Sequence, residues 1–140
     1  MDVELKQLEG LTLIGKSGSN HLVTMDAGED VGGNNSAIRP MEMMLISFGG
    51  CTGMDVISIL QKKRVPFKKI NMRLHADRAE EHPKVFTKIK VTFEIYADKD
   101  EIKSKDIERA IELSSTKYCS ASNMLNKTAH ITYDYQIFDF

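Results

Sequence analysis

The 140-residue sequence predicts an α+β domain. Three observations carry that class. Residues 40–60 are one long apolar stretch, opened by Pro40 and closed by Lys62, Lys63, Arg64 and Pro66, the marks of a helix start and stop. Residues 70–76 and 89–95 alternate apolar and polar side chains with the period of two of half-buried strands. Ile107, Ala110, Ile111, Ser114 and Tyr118 have the spacing of one buried helix face.

Taken in order, residues 8–14 and 21–26 read as two strands joined by the turn-former KSGSN. Residues 27–38, rich in Gly and Asn, read as a loop, and a loop this long in a small domain tends to be functional or mobile. The long helix follows, with Asn35 or Ser36 as its expected N-cap. At 100° per residue, Ser47, Cys51, Asp55, Ser58 and Lys62 fall on one narrow stripe. Apart from Glu42 and Thr52, the rest of the stretch is apolar or small, so burial on most sides is expected. The two alternating strands connect through Glu80, Glu81, His82 and Pro83 as an antiparallel hairpin. Ser104 is the expected cap of a second helix, and Ser120 or Ser122 of a short turn reaching Lys127. Ile131, Tyr133, Tyr135 and Ile137 alternate as the last strand. The expected order is β-β-α-β-β-α-β in a single domain, 1–140, without repeats or linkers.

A formal net charge of -1 gives no general electrostatic case for nucleic acid or an anionic membrane surface. Lys62, Lys63 and Arg64 read as a solvated helix end. The opening MDVELKQLEG has neither the basic nor the apolar region of a signal peptide, so a cytoplasmic location is expected. The 40–60 stretch approaches membrane-spanning length. Its Glu42, Asp55, hydroxyls and glycines favour a buried helix in a protein that does not enter the membrane.

Two cysteines, Cys51 and Cys119, stand without a C-x-x-C or a Cys/His zinc spacing, so no metal is expected. Free cysteines of this kind are usually buried and inert. A reactive one must be a thiolate, which an ordinary pKa of about 8.5 provides only sparingly at neutral pH. Cys51 sits in the middle of a helix, with Asp55 one turn on opposing ionisation, so it needs a cation; Arg39 and Lys16 are the candidates. Gly49, Gly50 and Gly53 each cost about 1 kcal/mol relative to alanine in a helix. Two readings account for them: tight packing of another helix, or close approach of a substrate. Cys119 is either a small buried hydrophobe or, if Ser120 caps the next turn, a thiol near a helix N-terminus. His21, His75, His82 and His130 have no ligand spacing and read as structural or solvated. The methionines read as core filling.

RPMEMMLISFGGCTGMDVISIL, EHPKVFTKI and KYCSASNML together resemble the OsmC/Ohr family, most closely its YhfA-type branch, and the resemblance covers nearly the whole chain. It implies an OsmC-like fold: antiparallel sheets wrapped around two long central helices in an intertwined homodimer. It also implies a thiol peroxidase, with Cys51 as the attacking and Cys119 as the resolving cysteine. No bound cofactor is implied; an external dithiol, lipoyl-type in the Ohr branch, restores the pair. The Ohr and OsmC branches carry a glutamate ten residues before the first cysteine, where this chain has Met41, and an arginine in the N-terminal hairpin, where this chain has none. Arg39 and Glu42 are therefore the candidate thiolate-stabilising pair, although Glu42 on a regular helix points away from Cys51.

The expected function is reduction of organic, lipid-like hydroperoxides in oxidative stress defence, with Met44, Phe48 and Gly50 as candidate pocket residues. The alternative is a non-catalytic dimer that binds an apolar or thiol-reactive small molecule. Burial of the long helix by one chain's strands and single amphipathic helix is hard to complete, which independently favours a homodimer.

Overall fold

The computed structural model describes residues 1–139. The described residues form two three-stranded sheets, and the chain separates into two compact units, Met1–Ile46 and the part from Ser47 onward. The division falls inside the long helix.

In the first unit β1 (Val3–Glu9), β2 (Thr12–Ser17) and β3 (Leu22–Met25) make an antiparallel meander in that order. The sequence predicted two strands here, not three. Every residue of β1 is exposed, so its apolar Val3, Leu5 and Leu8 have no inward face to announce the strand. A loop with a short 3-10 turn at Glu29–Val31 follows. Asp26 ties the loop down. Its carboxylate accepts from the backbone N–H groups of Ala27 (2.8 Å), Asn34 (3.1 Å) and Ser36 (3.0 Å) and from the Ser36 hydroxyl (2.7 Å). Four donors, the Ser36 hydroxyl foremost, hold its pKa down at about 2. The expected caps of the long helix are thus used elsewhere: Ser36 serves Asp26, and Asn35 takes a left-handed turn conformation. At the helix start Glu42 reaches back to the Arg39 backbone N–H (3.1 Å), the acidic half of a capping box.

The helix, α1 (Pro40–Lys62), begins and ends within a residue or two of expectation. Arg64, with φ 56°, supplies the left-handed residue that closes its C-terminus, and Val65 N–H returns to Leu60 C=O. By length and composition α1 could cross a membrane; Phe48, Thr52, Gly53, Val56 and Leu60 are instead buried in the protein.

In the second unit β4 (Lys69–Arg78) and β5 (Phe86–Tyr96) form the expected hairpin. After it come α2 (Ser104–Leu113), a π-helical turn (Ser114–Tyr118), α3 (Ser120–Leu125) and β6 (His130–Phe138). Lys103 occupies the N-cap of α2 without a side-chain bond, so Ser104 is its first helical residue rather than its cap. β6 pairs with β5 in parallel, so this sheet is mixed rather than antiparallel as expected. The reason is the connection: a helical crossover brings the chain back to the end of β5 at which β5 began, and the next strand must run alongside it.

β5, central in its sheet, buries Ile89, Val91, Phe93 and Ile95, which form one core with Phe48, Val56 and Leu60 of α1 and Ile107 and Ala110 of α2. Two of the helix glycines make this packing possible. A Cβ on Gly49 would lie 2.9 Å from Leu74, and one on Gly53 would run into the Met72 sulfur. Four residues apart, they let the β4 side chains sit against the helix backbone. The packing reading is correct for these two, with a strand rather than a helix as the partner. Around Gly50 the space is open.

Candidate thiol site

α1 presents Cys51 and Asp55 one turn apart on the stripe read from the sequence. Cys119 arrives from the far side of the π turn. There its N–H bonds to Ser114 C=O (2.9 Å), the i to i-5 contact that defines such a turn. Cys119 is itself the N-cap of α3: its sulfur accepts from Ser122 N–H at 3.3 Å and its carbonyl from the Asn123 side chain at 3.0 Å. The two sulfurs and an Asp55 carboxylate oxygen all lie within 4.8 Å of one another. Residues far apart in the sequence thus converge, Cys51 half-buried and Cys119 sealed from water.

A buried hydroxyl relay holds Asp55. Ser114 Oγ donates to Asp55 Oδ2 at 3.0 Å and lies 3.0 Å from Thr52 Oγ1, which can donate to it in turn. Both hydroxyl residues are fully buried. On the other side of Cys119, the Ser122 and Tyr133 hydroxyls share a hydrogen bond of 2.9 Å, and burial raises the Tyr133 pKa.

The electrostatics separate the two readings of Cys119, a small buried hydrophobe or a thiolate favoured by a nearby helix N-terminus. Its complete burial fits the first. Its thiol is pushed up to about 12, against the thiolate reading. Burial is the largest cause, the adjacent Cys51 thiol and the Asp55 charge add to it, and the single Ser122 N–H opposes them without prevailing.

Of the other candidates, Arg39 and Glu42 lie in the first unit, where Glu42 engages the Arg39 backbone. Among the described residues no ion pair joins the Glu42 carboxylate to the Arg39 guanidinium, which lies instead beside Gly28. Met44 is half-exposed in the first unit and Phe48 is fully buried. A cavity of about 360 Å³ opens beside Asp55, lined by Ser58, Ile59, Lys62, Lys63, Leu113 and Tyr118. Phe48 and Gly50 are not part of its lining. Sequence reasoning missed Thr52, Ser114 and Ser122 as site residues. The available signals were Thr52, a polar exception in the apolar stretch, and Ser114, which continues the apolar face of α2 at its C-cap.

The fold is α+β, and in it a half-buried and a sealed thiol come together. Residues 33–134 match the family described as OsmC-like protein. The chain is 40% identical to Protein YhfA of Escherichia coli strain K12 over 137 residues, 98% of each chain. It therefore belongs to the OsmC-like family. A hypothetical protein from Aquifex aeolicus VF5 shares the fold with a TM-score of 0.85 and 29% identity, over 99% of this chain and 96% of that one. An organic hydroperoxide resistance protein OsmC from Legionella pneumophila superposes with a TM-score of 0.68 at 11% identity, over 97% of each chain, a likeness of fold.

Proposed function

We propose that this chain reduces organic hydroperoxides with a two-cysteine cycle. The observation that carries the reading is the convergence of Cys51 and Cys119, whose sulfurs lie within 4.8 Å. The half-exposed Cys51, as thiolate, attacks the peroxide oxygen. The O–O bond breaks, the alkoxide takes a proton and leaves as an alcohol, and Cys51 becomes a sulfenic acid. The Cys119 sulfur then attacks Cys51, water departs, and a disulfide remains. An external dithiol, lipoyl-type by family resemblance, reduces it, so no bound cofactor is needed. The cavity beside Asp55, with Ile59, Leu113 and Tyr118 in its wall, suits an apolar substrate tail. The named role of the Legionella protein, organic hydroperoxide resistance, agrees with this substrate class.

The working unit in this reading is a cytoplasmic homodimer. Ile46 is 57% and Met54 72% exposed on α1, and Val3, Leu5 and Leu8 are exposed on β1, an amount of apolar surface that calls for a partner. Sedimentation at micromolar concentration should give twice the 15.8 kDa chain mass.

One observation favours a second reading, a non-catalytic dimer that holds an apolar or thiol-reactive molecule. Among the described residues no hydrogen bond or ion pair brings a cation to either thiol, and the charged group beside them is the Asp55 carboxylate. Cumene hydroperoxide added to the reduced protein separates the two. Loss of both thiols with one alcohol formed supports the enzyme. Cys51→Ser should then abolish peroxide consumption, and Cys119→Ser should allow one oxidation followed by overoxidation to the sulfinic acid. Thiols that survive excess peroxide would establish the binding protein.

A further inference from the structure

We propose that Cys51, Asp55 and Cys119 form a binding site for a zinc-type divalent cation. The sequence spacing offers no zinc motif, because two ligands lie four residues apart on α1 and the third comes from the N-cap of α3. Only the fold brings them together. In a tetrahedral site zinc lies about 2.3 Å from sulfur and 2.0–2.2 Å from carboxylate oxygen, which sets ligand-to-ligand separations of roughly 3.5–3.8 Å. The three donor atoms here are within 4.8 Å of one another. Closing the difference takes an adjustment of about 1 Å, within the reach of side-chain rotation about the Cys51 and Asp55 Cα–Cβ bonds.

Two further observations separate this cluster from an accidental one. The carboxylate is oriented from behind: Ser114 Oγ holds Asp55 Oδ2 at 3.0 Å and is itself tied to Thr52, which leaves Oδ1 for a metal. Outer hydrogen bonds of this kind fix ligating carboxylates in metal sites. The sulfur of Cys119 is likewise aimed, by Ser122 N–H at 3.3 Å. Cys51 and Asp55 are only half-buried, so the fourth corner is open to water or an exogenous ligand. Two sulfurs select against magnesium and calcium, and the single carboxylate suits a borderline ion such as zinc better than copper(I).

On binding, two S–H bonds break, two metal–sulfur bonds form, and two protons pass to solvent; no electrons move. A bound cation occupies both thiols, so metallation and disulfide formation exclude each other. This holds whether or not the thiols react with peroxides.

The test uses the full-length reduced chain without oxygen and without peroxide. Cobalt(II) is the probe. The expected result is one equivalent bound, with intense tetrahedral d–d bands and a near-ultraviolet sulfur-to-cobalt charge-transfer band, both erased by one equivalent of zinc. Cys51→Ser and Cys119→Ser should each lose the charge-transfer intensity of one sulfur. Asp55→Asn, which keeps the side chain's shape, should weaken binding at least tenfold. Because Cys119→Ser alters a sealed position and can disturb folding, protection is measured on the parent as well: zinc should slow alkylation of Cys51 by iodoacetamide at least tenfold. A parent protein that shows no charge-transfer band and no protection overturns the proposal. So does a cobalt spectrum that survives unchanged in both cysteine variants.

Discussion

Asp26 in the first unit is 2% exposed and Cys119 in the second is 0% exposed, yet their proton equilibria move in opposite senses. The carboxyl falls to about 2 and the thiol rises to about 12. Burial raises both, since it penalises the charged form of any acid. What differs is the number of donors. Asp26 receives four hydrogen bonds from its own loop; the Cys119 sulfur receives one, with a carboxylate close by. The loop residues around Asp26 are neighbours in sequence, so the donors come with the turn. Burial therefore decides at Cys119, where it is the largest cause, and is overridden at Asp26, where four donors outweigh it.

The largest effect that can break this comparison is at Cys119. With its pKa near 12, its alkylation by iodoacetamide at pH 8 should be on the order of a thousandfold slower in the native chain than in the denatured one, from thiolate fraction alone. Peptide mapping of the labelled cysteine gives the rate. Native labelling at the denatured rate would mean that the thiol is neither sealed nor raised.

A smaller effect belongs to Asp26. Its folded pKa lies below the ordinary 3.8, so its contribution to stability is complete above that value and is lost as pH falls through about 2. Urea midpoints at pH 5 and pH 2.5 should differ less in Asp26→Asn than in the parent. Ser36→Ala removes the largest of the lowering causes, so the Asp26 carboxyl should titrate closer to its ordinary range by carbon-detected NMR. An unmoved titration would assign the shift to the backbone donors alone.

The smallest effect sharpens the thiol side. The Asp55 charge is the last of the causes that raise Cys119. In a Cys51→Ser background, Asp55→Asn should speed Cys119 alkylation at high pH by no more than about tenfold, one pKa unit. A larger change would mean that Asp55, rather than burial, governs the thiol.

Much of this was legible in the sequence where a period or a stop signal was strong. The Pro40 start of α1 is a local stop-and-start signal, β5 and α2 bury the faces their patterns mark, and β4 and β6 alternate exposed with half-buried side chains. β1 failed that test because its side chains are exposed, and an alternation with no inside carries no signal. The parallel direction of β6 was illegible because alternation is the same read either way. Cys51, Asp55 and Cys119 were visible as residues, and the Cys51–Asp55 stripe as geometry. The relay from Thr52 through Ser114 was not, because its partners are 62 residues apart. The π turn was hidden because a five-residue interruption leaves the helical period around it nearly intact.

The crossover that makes β6 parallel also sets the order of events during folding. Cys51 lies on α1, whereas Cys119 lies on the connection between β5 and β6, so the two sulfurs are among the most non-local pairs in the chain. The hairpin and the individual helices form from local contacts; parallel pairing across a long connection closes late. Until the crossover docks, the chain carries two unrelated thiols, each open to solvent. Juxtaposition of the sulfurs is thus a reporter of completed tertiary structure.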